Sequence, residues 1–176
     1  FIAINQTQID KRLGGQKYWV TLKYDGEYAD IFHDGKQTVT LNRSARVRRG
    51  LPCIVEAGEL LDKAKIKEAV VAAEIYYYND GKRAKLGQLL SAFADEKKTA
   101  NLRLAIYDIQ EIDGKPFRTT NYQEKYDQIT AIFEKGKLCH PVDMKVANSA
   151  QEVKDIFQKW VVEENQEGLV VHSEMP

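Results

Sequence analysis

Residues 17–24 alternate with period two and end in Lys23-Tyr24-Asp25-Gly26, a strand running straight into an abrupt turn. Tyr18, Val20, Leu22 and Tyr24 fall on one side, and Trp19, Thr21, Lys23 and Asp25 on the other. The lysine therefore points away from the more apolar face. Asp25-Gly26 reverses the chain. Residues 28–33 and 37–42 read as two further strands joined at the hairpin signal Asp34-Gly35, so the opening is an antiparallel meander. A lysine fixed at a strand edge is a candidate nucleophile toward phosphorus. Taken alone, the plainer reading wins: an ordinary lysine snorkelling from a strand end.

Beyond the meander, residues 56–65 have helical spacing and 67–78 are β-rich, while 86–96 return to helix. Residues 102–109 form the clearest buried strand, closed by a turn at Asp113-Gly114. Asn121 with Glu124, and Ser149 with Glu152, are spaced as capping boxes for helices reaching about residues 135 and 163. Residues 167–172 form a last strand. No repeat, low-complexity segment or linker interrupts this order, which describes a single α+β domain of mainly antiparallel sheets flanked by helices.

A chain of 176 residues, 43% hydrophobic and 30% charged, can bury a core and is globular rather than disordered. Lys+Arg and Asp+Glu both total 26, which lacks the basic surplus of a module built only to grip DNA. The run Arg43-Ser44-Ala45-Arg46-Val47-Arg48-Arg49 is the one dense basic patch; it either meets phosphates or pairs with nearby carboxylates. Cys53 and Cys139 lack metal or disulfide spacing and suit a reducing, cytoplasmic setting. His33, His140 and His172 form no ligand cluster. No apolar run reaches membrane-spanning length.

Four segments in order carry a family resemblance: Lys23-Tyr24-Asp25-Gly26, Glu74 in AAEIYYY, Tyr107-Asp108 in LAIYDIQEIDG, and Glu167-Gly168 in EGLVVH. Together they resemble the adenylation domain of ATP-dependent DNA ligases, within the covalent nucleotidyltransferase superfamily and its ATP-grasp-like fold. The resemblance implies that Lys23 attacks the α-phosphorus of ATP, forming a lysyl-AMP that is later passed to a 5′-phosphate in nicked duplex DNA. It implies that Tyr107 stacks on adenine, that Glu74 contacts ribose or metal, and that Glu74 and Glu167 hold Mg²⁺. It places Arg43 near ribose and the 5′-phosphate, and Thr21 and Leu22 in the nucleotide site. Each residue also has a plain alternative: Glu74 on an exposed face, Tyr107 in the core, Glu167 at a strand end.

Several positions depart from the family pattern. Thr21 stands where relatives carry an acidic residue reading the base, and Ala72-Ala73 replace Asp-Gly before Glu74. Tyr28 stands where DNA ligases carry Arg and RNA ligases Asn, and His172 stands where Lys or Arg is common. The sequence starts at Phe1 and stops at Pro176, before the paired lysines of the next family motif and the OB-fold domain. The expectation is therefore a monomeric fragment, spanning residues 1–176, that adenylates slowly. RNA ligase, capping nucleotidyltransferase and a non-catalytic nucleotide-binding module remain as alternatives.

Overall fold

The computed structural model describes residues 4–173. In chain order the elements are α1 (Ile9–Arg12), β1 (Tyr18–Lys23), β2 (Glu27–His33), β3 (Thr38–Leu41), β4 (Val47–Arg48), α2 (Pro52–Lys63), β5 (Ala69–Asn79), β6 (Lys82–Arg83), α3 (Leu86–Phe93), α4 (Glu96–Thr99) and β7 (Leu102–Ile112). Then follow β8 (Lys115–Pro116), α5 (Tyr122–Phe133), β9 (Cys139–Pro141), β10 (Met144–Ala147), α6 (Ala150–Phe157) and β11 (Gly168–Ser173). They fall into two compact units. One is built from residues 4–24, 120–123 and 143–173, the other from 25–119 and 124–142.

The first unit is a three-stranded antiparallel sheet in the order β10-β1-β11. β1 is its uninterrupted centre, with Trp19 opposite both Val146 and His172, and Lys23 opposite Gly168. Alternation predicts one apolar face, but every residue of β1 except Lys23 is buried. The correction has a visible cause in the first turn of α5. Trp19 Nε1 donates to Gln123 Oε1 at 2.8 Å, and the Tyr122 ring stacks on His172 at 3.7 Å. Ser149 caps α6 by accepting from the Glu152 N–H at 3.2 Å, and Glu152 reaches back to the Asn148 N–H at 2.8 Å. The expected helix to residue 163 divides: α6 ends at Phe157, and a wider π turn over Gln158–Glu163 buries Trp160.

The second unit is an eight-stranded sheet, β4-β3-β2-β5-β7-β8, with β6 beside β5 and β9 parallel to β7. Its core joins Ile31, Val71, Ile75, Leu104 and Ile106 of the sheet to Ile54 and Leu61 of α2 and Phe133 of α5. α2 begins at Pro52, ahead of the predicted residue 56, because a proline ring is pre-set for the first helical position. Glu56 inside that helix accepts the N–H groups of Leu138 and Cys139 at 2.5 and 2.7 Å. The predicted helix over 86–96 breaks at Asp95, whose carboxylate accepts the Lys97 N–H at 3.0 Å and starts α4. Asn121 accepts from the Gln123 N–H at 2.9 Å, one residue earlier than a box with Glu124 requires, while Glu124 accepts the Thr119 hydroxyl at 2.6 Å.

β7 runs on to Ile112 and is not regular. Ala73 pairs with Ile106 and Ala72 with Asp108, leaving Tyr107 extra; Val71 pairs with Ile109 and Val70 with Glu111, leaving Gln110 extra. Each extra residue is a β-bulge that shifts the strand's phase by one. The phase shifts return Ile106, Ile109 and Ile112 to the core side although they are spaced by three. At the following turn Asp113 and Gly114 both have positive φ, 48° and 72°. The Asp113 carboxylate accepts the N–H groups of Lys67 and Glu68 at 2.8 and 3.2 Å, which holds it below its ordinary value.

Candidate active site

In the first unit, β1 delivers Lys23 at its end and β11 delivers the residues opposite. Lys23 Nζ forms an ion pair with Glu167 Oε1, the two side chains being 50% and 36% exposed. Gly168 lies directly across from Lys23, and a Cβ there would make only ordinary contact with the lysine stem, 3.8 Å from Lys23 Cδ. Thr21 is buried, and its hydroxyl lies 3.1 Å from His172 Nε2 and 3.5 Å from the Val170 carbonyl. Leu22 packs on the opposite face and its N–H donates to the Asp143 carbonyl at 2.9 Å. Neither side chain is presented to solvent. Tyr122 and Asp143, which accepts the Tyr24 hydroxyl at 3.0 Å, complete the surroundings. No spacing rule marks these two in the sequence, since both are brought in by packing.

In the second unit, the sheet face opposite the core carries the other candidates. Tyr28 on β2 stands across from Glu74 on β5. Tyr28 donates its hydroxyl to Asp30 Oδ1 at 2.6 Å, and Gln110 Nε2 donates to the same oxygen at 2.9 Å. Arg43 lies over the Tyr28 ring, 5.0 Å from its centroid. Tyr107, aimed by its bulge, has a phenol pushed up first by burial and then by Tyr28, Glu74 and Asp30, with Arg43 opposing. Arg43, Glu74 and Tyr107 are thus one neighbourhood. Tyr28, Asp30 and Gln110 belong to it too, and sequence reasoning reached only the first of these, as a departure.

The basic run divides. Asn42 Oδ1 accepts from the N–H groups of Ser44 and Arg46 at 3.0 and 2.9 Å, which folds the turn that presents Arg43. Arg48 is instead locked inside the unit, paired with Glu27 and lying 3.9 Å from the centroid of Phe93. Of these two arginines only Arg43 is open to a ligand.

Among the described residues no group of three or more His, Cys, Asp or Glu side chains forms a cage for a metal. Mg²⁺ does not need one, since it is commonly held by one or two carboxylates together with phosphate oxygens and water. Glu74 and Glu167 are hard oxygen donors of that kind. What the arrangement offers chemically is a primary amine beside a carboxylate in one unit, and an aromatic, an open guanidinium and a carboxylate in the other.

Comparison with known proteins places these features. A family model described as ATP dependent DNA ligase domain matches residues 3–175. A DNA ligase of Thermococcus onnurineus (strain NA1) is 26% identical over 157 residues, covering 85% of this chain and 27% of that protein. The chain thus spans about a quarter of that relative's length. A solved structure named Pmar-Lig_Pre superposes with a TM-score of 0.74 at 15% identity, covering 98% of this chain and 42% of the other. The ATP-dependent DNA ligase from bacteriophage T7, in complex with ATP, does so with a TM-score of 0.64 at 14% identity, covering 99% and 61%. These two show the shared α+β fold. Because the family match runs through almost the whole chain, this protein belongs to the ATP dependent DNA ligase domain family.

Proposed function

We propose that residues 1–176 form the adenylation domain of an ATP-dependent DNA ligase and that Lys23 is its nucleophile. The observation that carries this reading is the lysine of Lys23-Tyr24-Asp25-Gly26 at the end of β1, paired with β11 along its whole length and held against Glu167, which precedes β11. The ion pair must open and Nζ must lose a proton before its lone pair can attack. A P–N bond then forms to the α-phosphorus, and the bond to the bridging oxygen breaks as pyrophosphate leaves with the electron pair. Mg²⁺ would neutralise phosphate charge as pyrophosphate departs, and Glu74 and Glu167 are each a carboxylate of the kind that binds it. Tyr107 stacks on the base, and Arg43 contacts ribose or a phosphate through its fork of donors. Thr21 and Leu22, buried, keep β1 in register, and any contact they make with the nucleotide runs through the main chain.

The family match and the curated relative support DNA rather than RNA as the polymer, and nicked duplex DNA as the partner that receives AMP. Two buried free thiols suit a reducing cytoplasm, and no described helix is long and apolar enough to cross a membrane. The test is incubation with α-labelled ATP and Mg²⁺ followed by denaturing electrophoresis. Label should appear on the chain and be absent from Lys23→Ala. Label that survives this substitution removes Lys23 from the role; ATP binding without any covalent label, even with the natural C-terminus restored, selects a non-catalytic module instead. Competition by GTP separates capping from ligation.

A further inference from the structure

Arg43 is a cation seated on an aromatic ring. Among the described residues no hydrogen bond or ion pair engages its guanidinium; its recorded neighbour is the Tyr28 ring, 5.0 Å from centroid to Cζ. Asp30 lies two residues from Tyr28 on the same face of β2. A carboxylate ordinarily captures a guanidinium that can reach it as a forked pair. Arg43 and Asp30 form no such pair, and Asp30 has other partners. Asp30 Oδ1 already accepts the Tyr28 hydroxyl at 2.6 Å and the Gln110 amide at 2.9 Å, while the Tyr28 ring supplies an alternative seat for the cation.

We propose that Tyr28 is a positioning residue for Arg43: its ring carries the guanidinium and its hydroxyl, with Gln110, occupies Asp30 Oδ1, so that the arginine fork stays open for a phosphate. The proposal rests on the reading of Arg43 as a phosphate or ribose contact. It gives a purpose to a residue that fits neither the DNA nor the RNA ligase pattern at its position. It also gives a purpose to the second bulge of β7, which aims Gln110 at Asp30. Burial, reinforced by Asp30, pushes the Tyr28 phenol up to about 12, so the hydroxyl remains a donor at neutral pH. Two sources of phosphate suit the fork, the nucleotide itself and a 5′-phosphorylated polynucleotide end.

The decisive set is Tyr28→Phe, Asp30→Asn and the double variant. Two probes distinguish the phosphate sources: ATP, and a nicked duplex carrying either a 5′-phosphate or a 5′-hydroxyl at the nick. Tyr28→Phe keeps the ring but releases Asp30, so Arg43 should swing onto the carboxylate. The affinity for whichever probe Arg43 holds should fall about tenfold, the change that ~1.4 kcal/mol produces. Adding Asp30→Asn should restore it, because an amide does not capture the guanidinium. In the ligand-free chain, hydrogen exchange at the Arg43 side-chain Nε–H, followed by NMR, should slow in Tyr28→Phe and recover in the double variant. Wild-type affinity in Tyr28→Phe overturns the proposal, and so does a loss that Asp30→Asn fails to rescue. The exchange measurement needs no turnover, so a failure of Lys23 to take up AMP leaves this test standing and is read separately.

Discussion

β1 in the first unit and β7 in the second solve opposite problems. β1 is six residues long, paired without a bulge with β11 along its whole length and with β10 over Tyr18–Thr21, and puts one amine at its end. β7 is eleven residues long, broken by two bulges, and puts several side chains on one face. A single nucleophile needs its register fixed, because a slip of one residue sends every following side chain to the other face. A face that must meet a ligand with an aromatic and an amide gains from bulges, which aim side chains without disturbing the core beneath. Deleting one residue from each strand breaks this contrast most directly. Deletion of Thr21 should turn Lys23 into the buried face of β1, leaving an unpaired charge inside at a cost on the order of 5 kcal/mol. Urea denaturation should show a chain largely unfolded at 25 °C, with no AMP label. A deletion variant that folds and labels normally would show that the register of β1 does not position the amine.

The turn that leaves β1 is the next place to press. Gly26 has no positive φ to explain it; the reason is proximity. A Cβ there would come 2.3 Å from the Ile75 carbonyl oxygen and 2.8 Å from Glu74 Cγ. The first of these atoms is backbone and cannot step aside cheaply. Gly26→Ala should therefore destabilise by ~1–3 kcal/mol through overpacking, read as a lower urea midpoint with an unchanged slope. Because the displaced strand carries Glu74, ATP affinity should fall as well. A loss of affinity at full stability, or the reverse, would separate the turn's packing from its service to Glu74.

The same contrast explains what could be read from the residues beforehand. β1, β2 and β3 were legible because alternation and Asp-Gly turns are local signals. The burial of Trp19 and Thr21 was not legible: it depends on Tyr122 and Gln123, a hundred residues further on, and no periodicity within β1 reports it. The end of β7 was missed for a different reason. Ile106, Ile109 and Ile112 are spaced by three, which a period-two rule reads as the strand ending, whereas the bulges at Tyr107 and Gln110 absorb the extra residues. Arg43 was found as an arginine after the third strand, but its freedom was not. Two arginines of one basic run differ only in what folds against them, Tyr28 in one case and Glu27 with Phe93 in the other.

The smallest effect sharpens the comparison furthest. Gln110 has no partner across the β5–β7 ladder, because Val71 pairs with Ile109 and Val70 with Glu111. Removing it should let the ladder close without a gap. The isoleucine after the bulge then follows the one before it at the spacing of two that a regular strand requires, so the core keeps both. Deletion of Gln110 should thus change stability by less than ~1 kcal/mol, within the range of substitutions that leave the core untouched. Thermal unfolding would measure this. The cost should appear elsewhere: Asp30 loses one of its two donors, and binding of the phosphate probe should weaken by part of the Tyr28→Phe effect. A large loss of stability would mean that the bulge is needed to fold the sheet. Unchanged stability with weakened binding would mean that β7 carries its irregularity for the ligand, whereas β1 is regular for the amine.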